Sequence, residues 1–186
     1  MRFTVCDMRE KYIFRQATKE EIGEVFALIL SRMAWMDQVG IQQWNATKYD
    51  KRYPLWYYEA RQQAGELFVM REGDTGKLLC VGGLLHDDAR WTEKASALYL
   101  HHFASCPEDK GTGSIFLQMA EDYAAEQGMD YMRLDSAIGN EKLEHYYGSR
   151  GYEPVGYCKD GVYEGILRQK KLRKDAEEKP LQNVNI

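Results

Sequence analysis

A chain of 186 residues with 44% hydrophobic content is long enough to bury the core of one domain, and no apolar run approaches the ~18 residues that a membrane span requires. The formal charge of −4, from 25 basic and 29 acidic residues, disfavours nucleic-acid binding through a concentrated basic face and is compatible with a cationic acceptor. The charged N-terminal residues Arg2, Asp7, Arg9, Glu10 and Lys11 provide no apolar signal-peptide core, so a cytoplasmic location is expected, with no membrane attachment. The four cysteines (Cys6, Cys80, Cys106 and Cys158) show no metal-ligand spacing, so no metal is expected and the thiols read as inert. Cys106 alone sits close enough to an expected helix N-terminus to have its pKa lowered.

In chain order, Tyr12–Gln16 reads as a short strand. Thr18, with Glu21 three residues on, makes a capping box, and Ile22, Val25, Phe26, Ile29 and Met33 then recur at helical spacing, predicting a helix that ends before Gly40. Pro54 suits the first turn of a second helix, closed by Gly65. The period then becomes that of strands. Residues 66–71 and 77–85 flank Gly73-Asp74-Thr75-Gly76 as a hairpin, and 95–105 is a third, longer strand. A helix follows residues 107–113, with Ile115, Phe116, Met119, Ala120, Tyr123 and Ala124 on one face and Gly128 as its stop. Residues 131–135 read as a buried strand and 140–150 as a helix ended by Gly151. Residues 152–157 and 162–167 form a hairpin about Asp160-Gly161. This order predicts an α/β fold, a mixed sheet with helices on both faces. One domain over residues 1–172 is expected, followed by a flexible polar tail over 173–186.

The segment Pro107-Glu108-Asp109-Lys110-Gly111-Thr112-Gly113-Ser114 joins a strand to a helix. Gly111 and Gly113 carry no Cβ, so the backbone can turn tightly and approach a ligand closely. The free N–H groups and dipole of the helix start favour an anion such as a pyrophosphate, with Lys110 as a further cation. A lone G-x-G is weak evidence and equally describes an ordinary turn; it is neither a P-loop nor a dinucleotide fingerprint.

Two motifs together carry more. The run Pro107-Glu108-Asp109-Lys110-Gly111-Thr112-Gly113 resembles the coenzyme A loop of the GNAT superfamily of N-acetyltransferases, usually P-E-x-R-G-x-G-x-G. Farther on, Leu134-Asp135 precedes Asn140-x-x-Leu143-x-x-Tyr146-Tyr147-x-x-x-Gly151-Tyr152, which resembles that family's N-x-x-A-x-x-F-Y-x-x-x-G-F. The element order also agrees, so the resemblance covers residues 12–172. The stretch 35–65, with Gly40-Ile41-Gln42-Gln43-Trp44, looks like a bacterial branch whose acceptors are mostly unassigned. The departures are Lys110 for the usual arginine, Ile115 for the last glycine or alanine, and Ser105 for a valine.

The resemblance implies the family fold, a mixed, mostly antiparallel sheet with helices on both faces, and an acetyl-CoA-dependent transfer to an amine. Carried onto this chain, the strand before the loop splays from its neighbour and presents backbone groups of Phe103 and Ser105 to the pantetheine. The N–H of Phe103 also holds the thioester oxygen. Lys110, Gly111, Thr112, Gly113 and Ser114 bind the pyrophosphate, and Asn140 the pantetheine arm. Tyr147 takes the general-acid position, because a phenol stays protonated at neutral pH, and Tyr146 is its packing neighbour.

For the base, His101 and His102 are adjacent on a strand and so face opposite sides, His101 sharing parity with Phe103 and reaching toward the acceptor. The alternative for His101 is a hydrogen-bonded residue under a helix; Asp37, Asp87 and Asp88 are further base or amine-recognition candidates, against their reading as ordinary turn residues. Trp35, Gln43 and Trp44 either line an acceptor pocket suited to a cation or bury the two-helix region.

The leading expectation is a direct acetyl transfer to a primary amine, with a small molecule favoured because nothing suggests an extended peptide groove. A non-catalytic acyl-CoA-binding regulatory module of the same fold is the alternative, with Ile115 and Ser105 in its favour. A phosphate-binding protein unrelated to coenzyme A is the third reading. The aromatic-rich C-terminal strands are a candidate surface for a homodimer.

Overall fold

The computed structural model describes residues 11–172; the expected polar tail and Cys6 lie outside the described residues. Among the described residues, seven strands, β1 (Tyr12–Gln16), β2 (Leu67–Glu72), β3 (Leu78–Leu85), β4 (Ala97–Ser105), β5 (Tyr131–Ala137), β6 (Glu153–Asp160) and β7 (Tyr163–Lys171), form one sheet in the order β1-β2-β3-β4-β5-β7-β6. Only β4 and β5 pair in parallel; every other neighbouring pair is antiparallel. The helices are α1 (Ile22–Gln38), α2 (Tyr49–Arg52), α3 (Leu55–Gln63), α4 (Thr112–Glu126) and α5 (Glu141–Gly148). The short α2 is an addition to the predicted elements. No helix among the described residues is long and apolar enough to cross a membrane.

The capping box forms as expected, and it does more than start a helix. Thr18 N–H donates to Glu21 Oε2 at 2.7 Å, and Arg15 and Arg71 donate to the same carboxylate at 2.8 and 2.6 Å. The hydrogen bond from Arg15 leads in holding the Glu21 carboxyl down at about 2. The box thereby ties the start of α1 to β1 and β2.

Apolar side chains bury both faces of the sheet. Phe116, Leu117 and Ala120 of α4 join Leu84, Leu98, Leu100 and Met132 on one face, together with Tyr147 of α5. Val25 and Ile29 of α1 and Tyr58 of α3 join Val69, Val81 and Ala104 on the other. The edge strand β6 exposes Val155 and Tyr157, beside Val162 in the following turn.

Two irregularities in β4 shape the centre of the sheet. Its parallel pairing with β5 covers only Ala97–Leu100 against Tyr131–Leu134, although both strands continue, so they part at that point. On its other side, Val81 pairs with Ala104 and Gly83 with His101, which leaves His102 and Phe103 opposite the single residue Gly82. This is a β-bulge, and His102 adopts φ +53° within it.

Gly82 faces α4 at the bulge, where an added Cβ would lie 2.8 Å from the Phe116 ring, which is fully buried. Gly82→Ala is therefore expected to overpack this layer by about 1–3 kcal/mol, lowering Tm by roughly 3–10 °C. A thermal melt with no loss would show that the Phe116 layer can yield.

Candidate active site

Where β4 and β5 part, backbone groups of β4 lose their partners. Cys106 N–H donates to Leu79 O at 2.8 Å, so by the alternation of an antiparallel ladder Ala104 also turns its backbone toward β3. Phe103 and Ser105 then direct theirs into the gap, and both residues line the central cavity.

The bulge corrects the expected placement of the histidines. His101 pairs with Gly83, and a Cβ built on Gly83 would lie 3.4 Å from His102 Cδ2, so both imidazoles occupy one face with centroids 5.8 Å apart. Phe103 is on the other face, stacked on Phe116 at 5.2 Å. The extra residue breaks the two-residue period, and with it the parity argument that grouped His101 with Phe103.

At the end of β4, Gly111 takes φ +88° and caps α4, a left-handed conformation that favours glycine. Gly111, Gly113 and Ser114 line the cavity. Lys110 is exposed and outside the lining, and Thr112 is buried with its hydroxyl donating to Asp109 O at 2.7 Å. Ile115 packs against the core under α4 rather than crowding the loop. Arg150, which the motif analysis passed over, donates to Ser114 Oγ at 2.5 Å and lies 3.7 Å over the Tyr146 ring, placing a cation beside the helix start. Cys106 is not activated: burial and hydrogen bonds with Glu108 and Asp109 push its thiol up to about 11.

The cavity, about 460 Å3, brings these groups to α5. Asn140 caps α5, its Oδ1 accepting from Leu143 N–H at 3.1 Å, while its amide nitrogen has no protein partner among the described residues. Tyr147 is 7% exposed between Tyr146 and Tyr152, lines the cavity, and is pushed above its ordinary pKa by burial. Tyr146 lines the cavity as well and is more than a packing neighbour, with its hydroxyl 3.4 Å from Ser114 Oγ.

The opposite wall comes from α1, α2 and the segment between them. Trp35, Gln43 and Trp44 all line the cavity; Trp44 stacks on Tyr49 at 4.4 Å, and Arg32 lies 4.1 Å over the Trp35 ring. His102 is bracketed by phenols, Tyr49 Oη 2.6 Å from Nδ1 and Tyr57 Oη 3.0 Å from Nε2. Burial leads in lowering the His102 pKa well below its ordinary value, with the neighbouring His101, Arg90 and Arg61 adding to it.

His101 belongs to a charged cluster. Arg90 Nη2 lies 2.7 Å from its Nδ1, and Asp88 Oδ2 lies 3.1 Å from its Nε2. A guanidinium has no lone pair, so Nδ1 accepts and the ring proton on Nε2 faces Asp88. Arg90 also pairs with Asp88 at 3.1 Å and with Asp135 at 2.7 Å. Burial opposes the Asp88 charge, but hydrogen bonds from His101 and the Arg90 backbone, with the Arg90 guanidinium nearby, hold its carboxyl well below the usual range. Asp88, His101 and Asp135 come within 4.8 Å of one another, close enough for a metal, yet the Arg90 guanidinium already stands among them as the cation. The other base candidates are remote: Asp87 is exposed and paired with Lys94, and Asp37 is exposed and bonded to Asn45.

No family model and no curated protein matches this chain. Solved structures do. An acetyltransferase of the GNAT family from Listeria monocytogenes is 20% identical, with a TM-score of 0.70 over 86% of this chain and 94% of that one. A GNAT-family acetyltransferase from Streptococcus agalactiae is 22% identical, with a TM-score of 0.69 over 88% and 96%. The PaiA N-acetyltransferase of Thermoplasma acidophilum, solved in complex with coenzyme A, is 16% identical, with a TM-score of 0.65 over 86% and 98%. Seven strands in this order, parted between β4 and β5 with helices on both faces, give the chain the fold of the GNAT acetyltransferases.

Proposed function

We propose that this protein transfers an acetyl group from acetyl-CoA to the primary amine of a small molecule. The observation that carries the reading is that one cavity joins the gap between β4 and β5, the Gly111 turn at the start of α4, and the buried phenol of Tyr147. Its volume of about 460 Å3 lies in the range of small-ligand sites, ~300–1,000 Å3. The lining fits an extended ligand with an anionic end. Ser105 and Phe103 offer unpaired backbone groups, Asn140 an uncommitted amide, and Gly111, Gly113 and Ser114 a helix start backed by Arg150. The inward turn of Ile115 removes the steric feature that favoured a non-catalytic acyl-CoA-binding module.

Bound acetyl-CoA supplies the activated thioester. The N–H of Phe103, directed into the gap, stabilises negative charge developing on the carbonyl oxygen. Tyr147, held protonated by its burial, donates a proton toward the leaving sulfur. The attacking amine must shed a proton, and His101 is poorly placed to accept it, since Nδ1 is taken by Arg90 and Nε2 carries the ring proton toward Asp88. His102 suits the task better. Its two nitrogens bridge Tyr49, which lines the cavity, and Tyr57, and phenols can both give and accept protons. Proton exit through Tyr49 and His102 therefore replaces His101 as base, and His101 with Arg90 stiffens the cavity wall.

Calorimetric titration of acetyl-CoA should show saturable binding, and a primary-amine panel should release free thiol. Asn140→Asp preserves the cap, because a carboxylate also accepts from Leu143 N–H, but loses the amide donor. Its coenzyme affinity should fall about 3–10-fold at unchanged Tm. A wild-type protein that shows no saturable association with the coenzyme would overturn the proposal.

A further inference from the structure

Charges lining the cavity are unevenly matched, and the mismatch bears on the acceptor. Its only carboxylates among the described residues are Asp135 and Asp160. Asp135 is held by Arg90 at 2.7 Å and by the Tyr163 hydroxyl at 2.5 Å, and Asp160 pairs with Arg52. Neither is left for a second ammonium group on a ligand. Arg32 is the converse case. It lines the same cavity on the face of α1 that carries Trp35 and Met36, partly withdrawn from water against the Trp35 ring, and no carboxylate among the described residues lies within ion-pair distance of it.

We infer that the acceptor amine also carries an anionic group, a carboxylate or a phosphate, and that Arg32 binds it. This rests on the acetyl-transfer reading and narrows its substrate class. A guanidinium withdrawn from water costs free energy unless a counter-charge meets it, and none of the described carboxylates does so here. Its planar fork matches a carboxylate or phosphate through two parallel hydrogen bonds, and the indole beneath restricts its motion without taking those donors. Burial also lowers the Arg32 pKa, as expected of a cation awaiting its partner. Position favours the acceptor over the coenzyme as the source of that partner. α1 covers the face of the sheet opposite α4, whereas the glycine turn starts α4 and Arg150, just past α5, reaches Ser114 there. An amine bearing one positive and one negative charge thus finds a complement here, and a polyamine does not.

The test is calorimetric titration of the full-length protein, with and without coenzyme A. The probes are the standard amino acids, β-alanine and phosphoethanolamine, each beside its amide or alcohol lacking the anion, and spermidine. At least one anionic amine should bind tenfold or more tighter than its neutral counterpart. Arg32→Met, which keeps the aliphatic packing on Trp35, should abolish that preference while changing the neutral counterpart and coenzyme A less than twofold. Arg32→Lys should restore part of it, and thermal melts establish that both variants fold. Preference of the wild type for spermidine or for the neutral amines overturns the inference. So does an equal loss of coenzyme A binding in Arg32→Met, which would assign the guanidinium to the coenzyme phosphates. Arg32-dependent binding of an anionic amine in a protein that does not bind coenzyme A would leave this inference standing and remove the acetyl-transfer reading instead.

Discussion

Tyr147→Phe is expected to lower kcat by about 10²-fold or more, the usual range for losing a general acid being ~10²–10⁴. The ring packs 5.2 Å from Tyr146 and 5.6 Å from Tyr152, and phenylalanine keeps both contacts. No side-chain hydrogen-bond partner of the Tyr147 hydroxyl is found among the described residues, so removing it orphans no buried group. Stability should therefore stay within about 1 kcal/mol of wild type, and coenzyme affinity should change little. A fall in kcat at unchanged Tm and coenzyme Kd separates chemistry from folding. Turnover within threefold of wild type would remove Tyr147 from the reaction and leave proton delivery to water.

Mild acid is expected to destabilise the fold through His102. Its ring is 5% exposed and has Tyr53, Tyr57 and Tyr58 around it at 4.6, 5.0 and 5.6 Å. Tyr49 completes the enclosure at 5.7 Å, and the charged groups acting on it (His101, Arg90 and Arg61) are all cationic or potentially so. Its folded-state pKa lies well below the unfolded value near 6.5, so on acidification the unfolded chain takes up the proton first. Stability contributed by the neutral ring is complete above about pH 6.5 and is lost as pH falls below it. Between pH 7 and pH 5 the loss is at most about 2 kcal/mol, which corresponds to roughly 4–8 °C in Tm for a chain of this size. Glu21, whose carboxyl is held at about 2, contributes stability that is lost mainly below pH 4.5, outside this window. Urea melts across the window should show that slope, and His102→Phe should flatten it while lowering stability at pH 7, because two phenols lose their partner. An equal slope in the variant would place the acid sensitivity elsewhere.

The elements and their order were legible because they rest on local signals. Thr18 with Glu21 announces α1, the strand-to-helix turn at Gly111 announces α4, and Asn140 stands where a cap is needed for α5. Phe103, Ser105, Gly111, Gly113, Ser114, Asn140 and Tyr147, which the two motifs single out, line one cavity, since each belongs to a short run beside an element boundary. Lys110 and Thr112 belong to the same run and yet do not line that cavity, because Lys110 stands exposed in the turn ahead of α4 and the buried Thr112 hydroxyl bonds back to Asp109 O.

Hidden from the sequence was everything that depends on register and distant partners. A strand read residue by residue alternates strictly, and nothing local to His101-His102-Phe103 reveals that two of them stand against the single residue Gly82. The bulge comes from fitting β4 to β3 while α4 fills one face and α1 the other, so it is a property of packed layers. The cations are a similar case. Arg32, Arg90 and Arg150 look like ordinary surface arginines in a chain of 25 basic residues. Arg150 meets Ser114 36 residues away, Tyr49 meets His102 across 53, and Arg32 meets no carboxylate among the described residues. Periodicity and capping are written within a few residues of backbone, whereas the pairing of charges, and the failure of one to be paired, exists only once the chain has closed on itself.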